Sequence, residues 1–188
     1  MNRTLKTRIL ARTAALTAVL LLAIFTVPMS ASANDNNQYI RNAVVSAAQS
    51  YLGTPYLLEY GWTCGYDTID CECLNRHAIW DGTKQATGNG LQLHYTLWGQ
   101  IQGEQTGVEP YGYWNSAYLE KGDLVFWDID GNNQWGNDLD HTGVYVGNGL
   151  TINAAYGDEV RYDYVYGRYD YNNVPYFVDV LDANYYYG

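Results

Sequence analysis

Between residues 37 and 52 the apolar positions Ile40, Val44, Val45, Ala48, Tyr51 and Leu52 recur at intervals of three and four. That spacing gathers them on one face of an amphipathic helix. "GTPY" (Gly53 to Tyr56) stops it, because glycine frees the backbone and proline removes a donor, and a loop is expected to about Ile69. A second helix is predicted over 71–80, with Asp70 able to cap it by accepting from its free N–H groups. Gly82 and the "ATGNG" stretch are expected to end it. Residues 83–120 hold no sustained period and read as loop with one short helix around 94–100.

Further on, the pattern becomes that of strands. "GDLVFWDI" (Gly122 to Ile129) is a β-rich apolar run after a turn, and "HTGVYVG" (His141 to Gly147) and "LTINAA" (Leu150 to Ala155) follow it. Asn148-Gly149 lies between the last two runs, and a two-residue Asn-Gly loop between strands is a strong hairpin signal. "RYDYVYGRYDYNNVPYFVDVL" continues the alternation as one or two more strands. Helices first and antiparallel strands afterwards predict an α+β domain.

The first residues stand apart. Arg3, Lys6, Arg8 and Arg12 precede an apolar run from Ala14 to Val27, followed by Ala31-Ser32-Ala33, the layout of a secretory signal peptide. The run is shorter than the roughly 20 residues a spanning helix needs, so removal after about Ala33 and export are expected, with no stable membrane anchor left behind. Of 188 residues, 155 then remain, 34–188, a size suited to one domain and a monomer. Losing four of the 10 basic residues leaves six against 20 acidic ones, and the formal charge moves from −10 to −14. Such a chain is repelled by polyanions, which argues against nucleic acid as a partner.

Three cysteines in an exported chain leave at least one thiol unpaired or shared. Two of them stand one residue apart in "IDCECLNRHAIW", residues 69–80. A helix N-terminus favours negative charge and so favours thiolate, which places Cys71 well for nucleophilic chemistry. Cys73, two residues on, faces another direction. A base is needed, and three histidines offer themselves. His77 lies about 240° around the helix from Cys71, and His94 sits in a stretch without readable architecture. His141 opens a strand and can project from the sheet edge. Asn153, twelve residues later across the Asn148-Gly149 turn, is placed to orient its ring. Singly, each of these residues has an ordinary structural use; their joint placement suggests a site.

With these positions assembled, the chain resembles the NlpC/P60 family of secreted cysteine peptidases that cut cell-wall peptides, over roughly residues 40–169. The resemblance is carried by "YLGTPY" (Tyr51 to Tyr56), "DCEC" (Asp70 to Cys73), "GDLVFW" (Gly122 to Trp127), "HTGVYVGNG" (His141 to Gly149) and "INA" (Ile152 to Ala154), in the family's order. It implies a papain-like α+β fold, N-terminal helices packed on an antiparallel sheet. It also implies a Cys71–His141–Asn153 triad, a peptidoglycan stem peptide as substrate and no cofactor. Tyr56 matches a tyrosine lining the cleft, and Asp70 an aspartate that helps bind a free amino terminus. Where the family has serine and glycine after the nucleophile, this chain has Glu72 and Cys73. Glu72 becomes a substrate-binding candidate for an ammonium or another cation.

Given the resemblance, Cys71 is the working thiol and Cys64 with Cys73 the candidate disulfide, pinning the loop to the helix in an oxidising compartment. A zinc site from Cys64, Cys73 and His77 is the competing arrangement, without an evident fourth ligand. "DIDGNNQWGNDLD" (Asp128 to Asp140) lacks the glycine and glutamate of a calcium loop and reads as a solvated insertion. Three functions stay open: a cell-wall endopeptidase, an enzyme or toxin of this fold with another amide substrate, and a non-catalytic glycan binder using some of the 20 tyrosines.

Overall fold

The structure is a computed structural model and describes residues 33–58, 64–101, 111–113, 116–129, 139–166 and 176–181. Helix α1 is Ala33–Ser50 and α2 is Cys71–Thr87. A short α3, Leu97–Ile101, and a strand β1, Tyr111–Tyr113, lead to a 3-10 turn at Ser116–Tyr118. Strands β2 (Leu124–Trp127), β3 (His141–Gly147), β4 (Leu150–Ala154), β5 (Val160–Tyr164) and β6 (Tyr176–Asp179) complete an antiparallel sheet of order β1-β6-β2-β3-β4-β5. The expected α+β architecture is present, helices on an antiparallel sheet.

The apolar face of α1 packs on α2, and both cover one face of the sheet. Ile40, Val44 and Ala48 of α1 and Leu74, Ala78 and Ile79 of α2 share one buried cluster with Leu124, Phe126, Val144, Ile152 and Val178. The alternate residues of the central strands, Val125, Trp127 and Phe177, bury against Val165 on the other face. This two-sided burial explains why "LVFW" is apolar without a break. The Asn148-Gly149 turn has positive φ at both residues, 56° and 75°, as a tight hairpin twisted with its strands requires.

One buried cation fastens α1 to the sheet side. Arg41, 2 % exposed, donates from Nη1 to Asp123 Oδ1 at 2.7 Å and to the Lys121 carbonyl at 3.0 Å, and from Nη2 to Asp179 Oδ2 at 2.6 Å. Burial of a guanidinium is sustainable only with partners of this kind. Arg41 lies outside the apolar period that marks the helix, and its partners are 80 or more residues away in sequence.

Two expectations change. Helix α2 does not stop at Gly82 but runs to Thr87, where Gly88 closes it with a left-handed φ of 82°. Gly82 is inside the helix because α1 passes there: a Cβ at residue 82 would lie 2.4 Å from Val44 Cα and 2.6 Å from Val44 N. The glycine is a packing residue. Residues 83–120, read as loop with one short helix, supply that helix as α3 but also the unforeseen β1, which pairs with β6. The 130–138 portion of the Asp128–Asp140 loop lies outside the described residues.

Gly82→Ala should therefore destabilise the protein by about 2 kcal/mol or more, because the obstruction is backbone and the two helices must part. Urea unfolding should show a lower midpoint at unchanged slope. A loss below about 0.5 kcal/mol would mean that the helix crossing relaxes freely, contrary to this packing.

Candidate active site

Asp70 begins the site by beginning the helix. Its backbone is extended, its Oδ1 accepts from the Cys73 N–H at 2.8 Å, and the carboxylate is buried at 2 % exposure. This is the cap expected from the sequence, and it sets Cys71 as the first residue of α2. The first turn is buried against β3. Asn75 Nδ2 donates to Thr142 Oγ1 at 2.8 Å, and Thr142 Oγ1 donates onward to the Val125 carbonyl at 2.9 Å, linking the helix to two strands. The same amide donates to Gln100 Oε1 at 3.1 Å, while Gln100 Nε2 donates to the Glu72 carbonyl at 3.2 Å.

Cys71 is the free cysteine among the described residues and is buried, with the Thr142 and Glu72 backbone N–H groups directed at its sulfur. Here the outcome opposes the expectation from helix position. Burial, followed by the charges of Asp70 and Glu72, pushes the thiol up to about 12. The two N–H donors act in the opposite sense and are outweighed. A local rule about helix ends fails because desolvation and neighbouring carboxylates are properties of the assembled cleft.

His141 opens β3 opposite Trp127, on whose ring it stacks with centroids 5.4 Å apart. It is the residue before Thr142, whose amide faces the Cys71 thiol. Its Nε2 is 3.0 Å from Asn153 Oδ1. Asn153, fully buried on β4, reaches the imidazole over Gly143, where a Cβ would come within 2.9 Å of the Asn153 Cβ. The amide is in turn fixed: Asn153 Nδ2 donates to Asp163 Oδ2 at 3.0 Å. A carboxylate oxygen only accepts, so Nδ2 must face Asp163 and Oδ1 must face the histidine. An amide oxygen likewise only accepts, so the proton of neutral His141 sits on Nε2 and the lone pair on Nδ1. Burial holds the His141 pKa below its ordinary 6.5, against the opposing effects of Asn153 and Asp140.

A cavity of about 420 Å³ opens at the thiol, walled by Tyr56, Asp70, Glu72, Tyr95 and Asp140. Tyr56 is held by its N–H on the Asp158 carbonyl at 2.8 Å and packs edge-on against Tyr156 at 5.3 Å. Burial, then the neighbouring Cys71, raises its hydroxyl pKa. Glu72 faces the cavity and accepts from the Leu97 N–H through Oε1 at 3.0 Å, which ties it to the start of α3. Burial raises its pKa as well.

Cys71, Tyr56, Asp70 and Glu72 thus line one cavity, and the His141–Asn153 pair adjoins it in the chain, between Asp140 of its lining and Thr142, whose amide faces the thiol. Cys64 and Cys73 form a disulfide with Cα atoms 5.4 Å apart, which takes two ligands from the zinc alternative. The third, His77, has Nε2 3.0 Å from the Gly65 carbonyl, stacks on Tyr51 and lies tilted against Tyr66. His94 turns Nδ1 to Thr96 Oγ1 at 3.0 Å, at the entry to α3. Sequence reasoning passed over Thr142, Gln100 and Asp163, whose partners are distant in sequence or hidden in an aromatic alternation.

Residues 53–176 match the NlpC/P60 family. The chain is 30% identical over 125 residues to the probable endopeptidase p60 of Listeria innocua, covering 66% of this chain and 22% of that protein. The corresponding protein of Listeria monocytogenes is 29% identical over 124 residues, covering 66% and 21%. The chain thus spans about a fifth of the length of these curated relatives. In fold it is similar to the NlpC/p60 domain of the peptidoglycan hydrolase SagA (22% identity, TM-score 0.53, 74% of this chain and 98% of that one). It is similar also to the peptidoglycan hydrolase RipB of Mycobacterium tuberculosis (21% identity, TM-score 0.54, 78% and 67%). With its blocks in order, its helices on an antiparallel sheet and the family match over two-thirds of its length, the chain belongs to the NlpC/P60 family.

Proposed function

We propose that this protein is a secreted cysteine peptidase that hydrolyses an amide bond in peptidoglycan stem peptides. The observation that carries the reading is a buried thiol at a helix start, in a cleft and facing the Thr142 amide, where the residue before Thr142 is a histidine whose tautomer is fixed by Asn153. Export is supported by the basic, apolar and small-residue sequence at the start of the chain and by a disulfide suited to an oxidising compartment. The signal is residues 1–33, and 34–188 is the catalytic domain. Among the described residues no helix is long and apolar enough to cross a membrane.

In this mechanism Cys71 and His141 start as a neutral pair. Nδ1 of His141 takes the thiol proton as sulfur attacks the amide carbon, and Asn153 Oδ1 stabilises the imidazolium that forms. The oxyanion develops by the N–H groups of the first α2 turn. The imidazolium then protonates the leaving amine, and water cleaves the acyl-enzyme with His141 again as base. Asp70, Glu72 and Asp140 give the cleft a negative field, which suits a substrate bearing a free ammonium group. Such a group, set between Asp70 and Glu72, removes two of the three causes that hold the thiol proton in place. Substrate binding and nucleophile activation are then one event.

Purified protein and Cys71→Ala, with a mild thiol reductant, are to be incubated with peptidoglycan and with soluble stem peptides, and the products identified by mass spectrometry. Amide cleavage should appear with the parent protein and fall at least about a thousandfold in the variant. No cleavage by either would overturn the wall-peptidase reading.

The neutral pair has its own signature. His141 must be unprotonated to act, and its pKa is lowered, so the acid limb of kcat/KM should lie below pH 6.5. Alkylation of Cys71 by iodoacetamide should climb steadily from pH 6 to pH 9, because thiolate is scarce throughout. A rate independent of pH across that range would instead mean a preformed thiolate–imidazolium pair.

A further inference from the structure

Strand β5 is amphipathic in the wrong sense. Tyr162 and Tyr164 point outward at 43 % and 67 % exposure, while the intervening Asp163 turns inward with its side chain 15 % exposed. An edge strand ordinarily buries its aromatic rings and leaves its carboxylates to water. The inward position is therefore held by an acid for a reason other than packing, and its contacts supply one. Asp163 Oδ2 accepts from Asn153 Nδ2 at 3.0 Å, and Asn153 Oδ1 is the atom 3.0 Å from His141 Nε2.

We infer that Asp163 is a positioning residue that sets the tautomer of His141 by fixing which end of the Asn153 amide faces the ring. This rests on the reading of His141 as the base. An asparagine amide has a donor end and an acceptor end of nearly the same shape, so packing alone scarcely distinguishes its two orientations. Oxygen toward His141 makes Nε2 the protonated nitrogen and leaves Nδ1 able to accept the thiol proton. Nitrogen toward His141 demands a lone pair on Nε2, moves the proton to Nδ1, and removes the base. The carboxylate at 163, an obligate acceptor, breaks the tie.

Asp163 is itself held. Arg161 Nε lies 3.4 Å from Asp163 Oδ2, and Arg161 Nη1 pairs with Asp158. Asp158 carries the carbonyl that accepts from the Tyr56 N–H at 2.8 Å. A continuous polar chain thus runs from the tyrosine wall of the cleft, through the turn before β5, to the imidazole. Its residues come from four separate segments, which is why the arrangement is not evident from motif spacing.

The test compares the parent protein with Asp163→Asn and Asp163→Ala in the full chain. The asparagine variant can still offer an amide oxygen to Asn153 Nδ2, whereas alanine offers nothing. For Asp163→Ala, kcat on a soluble stem peptide should fall about tenfold to a hundredfold with KM nearly unchanged, the usual scale for groups that orient a catalytic residue. Asp163→Asn should stay within about threefold of the parent. Independently of any substrate, nitrogen-15 NMR of His141 should show a proton on Nε2 in the parent and in Asp163→Asn, and a substantial Nδ1–H population in Asp163→Ala. An unchanged tautomer in Asp163→Ala overturns the inference, as does equal loss of kcat in both variants. If the parent cleaves no stem peptide, the NMR comparison still decides the role of Asp163, so failure of the substrate assignment is separable from failure of this proposal.

Discussion

The site depends on burying the first turn of a helix against the start of a strand. A helix N-terminus presents N–H groups without intrahelical partners, and such groups are costly to bury unmatched. Here Asp70 meets one of them, and the Asn75–Thr142–Val125 relay fixes the helix against β3 and β2 at one register. A slip of one residue along β3 would exchange the faces of its side chains and carry Thr142 away from Asn75. The cap and the relay therefore hold the helix in place and fix the surroundings of the Cys71 thiol together.

That close docking also sets the electrostatics. The cleft is dry enough at the thiol to disfavour its charge, and the carboxylates that cap and flank the helix add to the effect. Burial acts on His141 in the same direction, toward neutrality. In the proposed mechanism the pair moves a proton only as charge develops, and the acids that disfavour the thiolate are the groups that would receive a cationic substrate. A cleft built from apolar walls alone would raise the thiol pKa in the same way but would provide no means of relieving it.

Much of this was legible in the chain. The three- and four-residue spacing from Ile40 to Tyr51 marked α1, and Asn148-Gly149 marked the hairpin that brings Asn153 across from His141. Asp70, Cys71, His141 and Asn153 were singled out because a cap, and the proposed nucleophile, base and orienting amide, each leave a local signal. What escaped reading was non-local. Gly82 looks like a terminator until another helix is seen to cross it, and the three-residue β1 has too few residues to show a period. The insertion of β6 between β1 and β2 is a matter of topology that no window of sequence carries. Asp163 is hidden inside "YDY", where alternation points to the tyrosines as the buried residues and the structure turns them out. The thiol pKa escaped for the same reason, since burial is set by the whole fold.

The three cysteines show how helix geometry sorts chemically identical groups. Two residues along a helix amount to about 200° of rotation, so Cys71 and Cys73 leave α2 on nearly opposite sides. Cys71 meets β3, while Cys73 meets the loop carrying Cys64 and forms the disulfide. A bridge between Cys71 and Cys73 would need both side chains on one side of the helix. Closing the short loop between Cys64 and Cys73, nine residues apart in sequence, contributes about 3 kcal/mol on a chain-entropy account. The odd number of cysteines is thereby divided, two to hold the loop and one left as the free thiol that the proposed mechanism uses.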